Sequence, residues 1–171
     1  MRATDTIFAL SSGAPPAAIA LMRISGPDSV NAAEALTGSV PKARRASLRI
    51  LRDASGEELD RALVLVFPGP DSATGEDLVE LHLHGGRAVV RAVAAALAAL
   101  PGLRPAEAGE FTRRAFLNGR MDLNEAEGLA DLLAAETEWQ RRAAGAMMGG
   151  AFSRRIEQWR QEVLVLSALT E

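Results

Sequence analysis

The chain has 171 residues, with 19 basic and 22 acidic side chains and a formal net charge of −3. This balance excludes a strongly basic nucleic-acid module and a disordered acidic tail, and the absence of cysteine excludes disulfides and cysteine zinc sites. No apolar stretch approaches membrane-spanning length, and the amino terminus lacks the apolar core of a signal peptide. We therefore expect a soluble, cytoplasmic protein.

Strand and helix patterns alternate over the first two thirds of the chain. Apolar runs predict four strands there, at residues 6–10, 18–24, 48–51 and 62–67. The polar turn DASGEELD joins the last two of these. Helices are predicted to follow Gly26-Pro27-Asp28 and Gly85-Gly86, and a short helix is predicted over Glu110–Leu117. The mixture predicts an α+β fold in which helices pack on a mixed sheet.

The strand predicted at Asp77–His84 has the most informative polar pattern. Because side chains alternate along a strand, Leu78, Glu80, His82 and His84 share one face, at steps of roughly 7 Å. This face can serve acid–base chemistry or ligand binding, can hold a metal through its two histidines, or can be the solvated face of an antiparallel sheet. The metal interpretation is the weakest, because the chain has no other histidine and no cysteine.

Several arginines are candidates for binding anions. Arg23 ends a strand face that is otherwise apolar, so it either reaches to the sheet edge or binds an anion. Arg113, Arg114 and Arg120 can meet phosphate or carboxylate groups, or can simply form a solvated helix face. The residue pattern alone leaves these alternatives open.

The pattern becomes helical after Gly119. Asp122 and Glu125 have the spacing of a capping box at the start of a helix. A later apolar stripe with spacings of four and three predicts a long helix, and it consists of Phe152, Ile156, Trp159, Val163 and Leu166. The stripe continues towards Glu171, which suggests a piece of a longer polypeptide.

The chain carries no recognisable complete active site of its own. It contains no G-x-x-x-x-G-K-[ST] loop for nucleotide phosphates, no G-x-S-x-G nucleophile elbow and no cysteine nucleophile. Any function must therefore be inferred from its longer motifs.

Three collinear stretches resemble the tRNA-modification GTPases of the MnmE (TrmE) family. They are DTIFAL followed by LMRISGP, FPGPDSATGEDLVELHLHGG, and GEFTRRAFLNGRMDLNEAEGLADLLAAET. The resemblance covers essentially the whole chain. It implies a folate-binding and dimerising domain at residues 1–120, similar in fold to folate-dependent aminomethyltransferases. Residues 121–171 would be the first part of a helical domain, into which that family inserts its GTP-binding domain.

The resemblance also implies a function for the complete protein. With the FAD-binding partner MnmG (GidA), family members modify C5 of the wobble uridine in certain tRNAs. A tetrahydrofolate derivative, the 5-formyl or 5,10-methylene form, supplies the one-carbon unit. GTP, magnesium and potassium act in the GTPase domain, which this sequence does not include. We therefore expect a homodimer that meets tRNA through the full complex and does not associate with membranes.

The family's folate contacts carry over to three residues of this chain. They are Arg23 in MRISG, Glu80 in GEDLVE and Arg120 in LNGRMDL. A carboxylate can accept paired hydrogen bonds from the aminopyrimidine edge of a pterin, and the two cations can meet folate carboxylates or carbonyls. No catalytic residue and no metal ligand is implied. Two other interpretations remain, a free-standing folate-dependent aminomethyl-transfer enzyme and a non-catalytic dimerisation module.

Overall fold

The computed structural model describes residues 5–169, except for the side chains of residues 151–153, and divides into two compact units at Asn118/Gly119. The first unit contains β1 (Thr6–Leu10), β2 (Ile19–Ser25), α1 (Ser29–Thr37), β3 (Ser47–Arg52), β4 (Glu58–Phe67), β5 (Leu78–His84), α2 (Arg87–Ala98), β6 (Leu103–Pro105) and α3 (Glu110–Leu117). The second unit contains α4 (Leu123–Ala134), α5 (Glu138–Met148) and α6 (Ala151–Ala168).

The first unit is built on one mixed sheet of six strands. Its strand order is β3-β4-β5-β2-β1-β6. Four neighbouring pairs are antiparallel, and only β1 and β6 run parallel. The structure therefore confirms the predicted α+β fold with a mixed sheet.

One face of this sheet forms the hydrophobic core under α1 and α2. Alternate strand residues point into it, including Met22, Ile24 and Leu81, all at most 2% exposed. They join fully buried Val93 and Leu97 of α2. Because burial of large apolar side chains drives folding, this face fixes the register of β2 and β5. The opposite face of the same strands therefore points away from this core.

The main errors of the sequence-based prediction lie at β4 and β6. The predicted turn DASGEELD is too long, because β4 already begins at Glu58 and pairs with β3. The connection between β3 and β4 is short because the Asp53 carboxylate accepts hydrogen bonds from the backbone N–H groups of Ser55 and Glu57. Strand β6 was not predicted, since three residues ending in Pro105 give almost no local strand signal.

The second unit consists of three helices. At the start of α4 both hydrogen bonds of the predicted capping box are present, at 2.8 Å, between Asp122 and Glu125. Helix α5 was not predicted as a separate element, although Thr137 and Gln140 form a second capping box at its start. The predicted long helix is α6, in which Trp159 is 48% exposed. Phe152 of the predicted stripe falls outside the described side chains. Among the described residues, no helix is both long and apolar enough to cross a membrane.

Gly128 of α4 sets the close approach of α4 and α5. A Cβ there would lie 2.6 Å from the backbone nitrogen of Met148 and 2.9 Å from the Cβ of Met147. Gly128→Ala should therefore lower the free energy of unfolding of the second unit by about 1–3 kcal/mol. The measurement is urea unfolding followed by tryptophan fluorescence, since both tryptophans of the chain, at positions 139 and 159, lie in this unit.

Gly145 provides the matched control on α5. A Cβ there would meet nothing within 4 Å, so Gly145→Ala should leave stability unchanged or raise it by up to about 1 kcal/mol through helix propensity. Equal effects of the two substitutions would contradict the close-approach argument.

Candidate functional site

Two of the three predicted folate contacts meet on neighbouring strands of the sheet. Strands β2 and β5 pair with Arg23 directly opposite Glu80. The Arg23 guanidinium donates to Glu80 Oε1 from Nε at 3.1 Å and from Nη2 at 2.7 Å. The two side chains are 27% and 16% exposed, so this pair is fixed in orientation but still reachable from solvent. Both bonds go to one carboxylate oxygen, which leaves Oε2 without a hydrogen bond from Arg23.

An aromatic ring lies beside this ion pair. Phe111, the second residue of α3, has its ring centroid 5.8 Å from Arg23 Cζ, within the range of a cation–π interaction. Phe111 was not predicted to belong to this site. A cation, a carboxylate and an aromatic ring on one surface are suited to a flat, polar heteroaromatic ligand, because such a ligand stacks with one face and hydrogen bonds with its edge.

His82 is the second polar residue on the Glu80 side of β5. Its Nε2 lies 3.5 Å from Glu80 Oε2, yet this nitrogen is buried and has no hydrogen-bond partner. The residues in register with it are Leu21 on β2 and Leu63 on β4. The predicted polar face does not extend along the whole strand, because Leu78 is 1% exposed.

His84 is held by β4 rather than paired with His82. Its Nδ1 lies 2.7 Å from Asp60 Oδ1, and its backbone N–H donates to Asp60 Oδ2 at 2.8 Å. The described part of the chain contains no group of three or more histidine, cysteine or acidic side chains that could hold a metal ion. The contacts of β5 in this structure therefore give no support to the metal interpretation.

Arg120, the third predicted folate contact, belongs to the second unit. The first unit by itself therefore brings together Arg23 and Glu80. A separate cavity of about 340 Å³ lies beyond the end of β2, and it is lined by Gly26, Pro27, Gly69, Pro70, Gly75, Glu76, Asp77 and Asn118. None of the three predicted contacts lines it.

A buried ionic cluster anchors α3, and with it Phe111. Glu110 and Arg114 have side chains only 2% and 5% exposed. Arg114 donates to Glu110 at 3.1 Å, to Asp5 at 2.8 Å and to Glu76 at 3.2 Å. Arg104 donates to Glu110 and Asp5, each at 2.6 Å. The cluster thereby ties α3 to β6, to the residue before β1 and to the loop before β5. This anchoring fixes the position of the aromatic ring of the site.

The buried ionic cluster makes the stability of the first unit depend on pH. Hydrogen bonds from Arg104 hold the pKa of Glu110 at about 2, against the opposing effect of burial, with help from the Glu107 N–H and Arg114. A carboxyl whose pKa is lowered on folding stabilises the native state above its unfolded pKa, and this contribution is lost as the pH falls towards the folded value. The urea midpoint of the first unit should therefore fall as the pH is lowered from about 5 towards 2.

Glu110→Gln should reduce this pH dependence, because the amide does not titrate. Circular dichroism of the wild type and the variant over the same pH series makes the comparison. Identical slopes would contradict the assignment to Glu110.

The chain is similar to proteins of a known family. The sequence model of one protein family, described as GTP-binding protein TrmE N-terminus, matches residues 6–120 of this chain. The tRNA modification GTPase MnmE of Erythrobacter litoralis is 65% identical over 98% of this chain, which covers 39% of that protein. The proteins of the same name from Rhizorhabdus wittichii and Novosphingobium aromaticivorans are 66% and 63% identical over 99% and 98% of this chain, and each is again 39% covered.

The chain therefore belongs to the MnmE (TrmE) family of tRNA modification GTPases. It spans about two fifths of the length of these curated relatives.

Proposed function

We propose that this chain is the N-terminal part of a tRNA modification GTPase and that its first unit binds a tetrahydrofolate derivative. In the complete protein this folate would supply the one-carbon unit placed at C5 of the wobble uridine, together with the FAD-binding partner MnmG. GTP, magnesium and potassium would act in polypeptide that this sequence does not include. Family membership supports the proposal, and the arrangement of Arg23, Glu80 and Phe111 supports the folate site.

The residues present fit a folate by their chemistry. Glu80 Oε2 is the oxygen that Arg23 leaves free, and it can accept hydrogen bonds from the aminopyrimidine edge of a pterin. Phe111 offers an apolar ring surface to the flat pterin. Arg23 supplies positive charge for folate carbonyls or carboxylates. Bound folate would supply the one-carbon unit, and these side chains would hold and orient it.

The observation that carries the proposal is the half-buried Arg23–Glu80 pair beside an aromatic ring. Isothermal titration of the chain with 5-formyltetrahydrofolate tests it. We expect saturable binding of one ligand per chain. Absence of binding would favour a non-catalytic dimerisation module. Binding together with aminomethyl transfer by the chain alone would favour a free-standing transferase.

We also propose that the first unit forms a homodimer through the sheet face opposite α1 and α2. That face carries exposed apolar side chains on three strands, with Ile19 60%, Leu48 65% and Leu63 44% exposed. Leu48 and Leu63 lie directly opposite each other across β3 and β4. A second copy would cover these apolar side chains with the identical side chains of its own sheet, as a two-fold interface requires. Because Arg23 and Glu80 project from the same face, folate would bind at this interface.

Leu63→Arg should weaken self-association by roughly tenfold or more, because it places a charge where the second copy would exclude water. Sedimentation equilibrium over a concentration series measures this. Val40→Arg is the control, since Val40 is 45% exposed and lies outside the strands of this face. A wild-type chain that stays monomeric, or equal weakening by both variants, would contradict the proposed interface.

A further inference from the structure

His82 presents a buried polar atom without a partner next to the proposed folate site. Its Nε2 makes no hydrogen bond, and an unsatisfied buried donor or acceptor costs on the order of 1–3 kcal/mol. A carboxylate oxygen, Glu80 Oε2, lies 3.5 Å from it. A shift of a few tenths of an ångström would bring the two atoms within normal hydrogen-bond distance.

The surroundings of His82 favour Glu80 Oε2 as the hydrogen-bond partner of its Nε2. The residues in register with it on β2 and β4 are Leu21 and Leu63, and leucine side chains offer no hydrogen-bonding group. Glu80 lies on the same strand, and Arg23 is already bonded to its Oε1. Oε2 is therefore the acceptor available to a proton on Nε2.

We propose that His82 is a positioning residue for Glu80, donating its Nε2–H to Oε2 while Arg23 donates to Oε1. With a donor on each oxygen, the plane of the carboxylate is fixed. Each carboxylate oxygen accepts more than one hydrogen bond, so Oε2 can still accept from a ligand. This inference rests on the proposed folate site and adds a residue to it.

The first arm of the test needs no folate. The chain has only two histidines, so long-range 1H–15N spectra of the labelled protein resolve both imidazoles, with His84→Gln providing the assignment. At a pH where the ring is neutral, we expect the His82 proton on Nε2 and a change of the His82 shifts in Glu80→Gln. A proton on Nδ1, or His82 chemical shifts that are the same in the wild type and in Glu80→Gln, would overturn the proposal.

The second arm compares binding of 5-formyltetrahydrofolate by two variants. His82→Leu puts an apolar side chain between the leucines in register with it but removes the donor, so the dissociation constant should rise about threefold to tenfold. His82→Gln retains an N–H donor and should stay within about twofold of the wild type. Equal weakening by both variants, or no weakening by His82→Leu, would overturn the donor role.

The two arms separate this inference from the proposed function. If the wild type binds no folate, the proposed function fails and the role of His82 in recognition fails with it, whatever the tautomer. If the wild type binds folate and the proton is on Nδ1, only the role of His82 fails. If His82→Leu does not fold, the tautomer of His82 in the wild type and the folate affinity of His82→Gln still decide whether His82 donates to Glu80.

Discussion

Replacing Arg114 by methionine should lower the free energy of unfolding of the first unit by about 3–5 kcal/mol, because it removes the buried cation that Glu110, Asp5 and Glu76 share, and Arg104 remains bonded only to the first two. Arg114 is 5% exposed and donates to Glu110, Glu76 and Asp5. Methionine keeps an unbranched apolar side chain but is shorter than arginine and has none of its donors. Urea unfolding followed by circular dichroism, with the histidine resonances of β5 as a local reporter of the first unit, measures the loss.

Arg113 is the matched control, one residue earlier on the same helix. Its side chain is 59% exposed, and its ion pairs are longer, at 3.5 Å. Arg113→Met should therefore change stability by no more than about 0.5 kcal/mol. Similar losses in the two variants would show that helix α3 is not held by the buried cluster.

Replacing Glu80 by glutamine should weaken binding of 5-formyltetrahydrofolate roughly tenfold to a hundredfold, which corresponds to about 1.5–3 kcal/mol. The amide lacks the charge and presents N–H donors where the pterin edge also donates. The effect on folding should be small, at most about 1 kcal/mol, because the Arg23–Glu80 pair is partly exposed. Titration calorimetry and urea unfolding of the same preparation separate the two quantities.

Glu34→Gln controls for the loss of one negative charge. Glu34 is exposed on α1, which packs on the opposite face of the sheet, so its substitution should leave folate affinity unchanged. A well-folded Glu80→Gln variant with wild-type affinity would remove Glu80 from the site and favour the solvated-face interpretation of β5.

Sequence patterns correctly predicted those strands and helices whose signal lies within their own residues. β1 and α3 begin and end at the predicted residues, since alternation and helical spacing depend on neighbouring positions. β6 escaped prediction because its three residues become a strand only through parallel pairing with β1. The signal for α5 lies in the capping residues Thr137 and Gln140 and not in an apolar stripe.

The candidate site was predictable as a set of residues but not as an arrangement. Alternation correctly placed Glu80 and His82 together on β5. Sequence alone could not show that Arg23 lies opposite Glu80, because antiparallel register depends on which face of each strand is buried. The cluster that anchors α3 was equally out of reach, since Asp5 and Arg114 are 109 positions apart.

The most direct test of the central claim is to locate bound folate on the chain. Backbone 1H–15N spectra of the labelled protein, recorded during titration with 5-formyltetrahydrofolate, report which residues respond. The folate proposal predicts saturable shifts centred on residues 22–24 of β2, 79–82 of β5 and Phe111 of α3. Shifts confined to the cavity around Gly69, Gly75 and Asp77, or no shifts at saturating ligand, would contradict it.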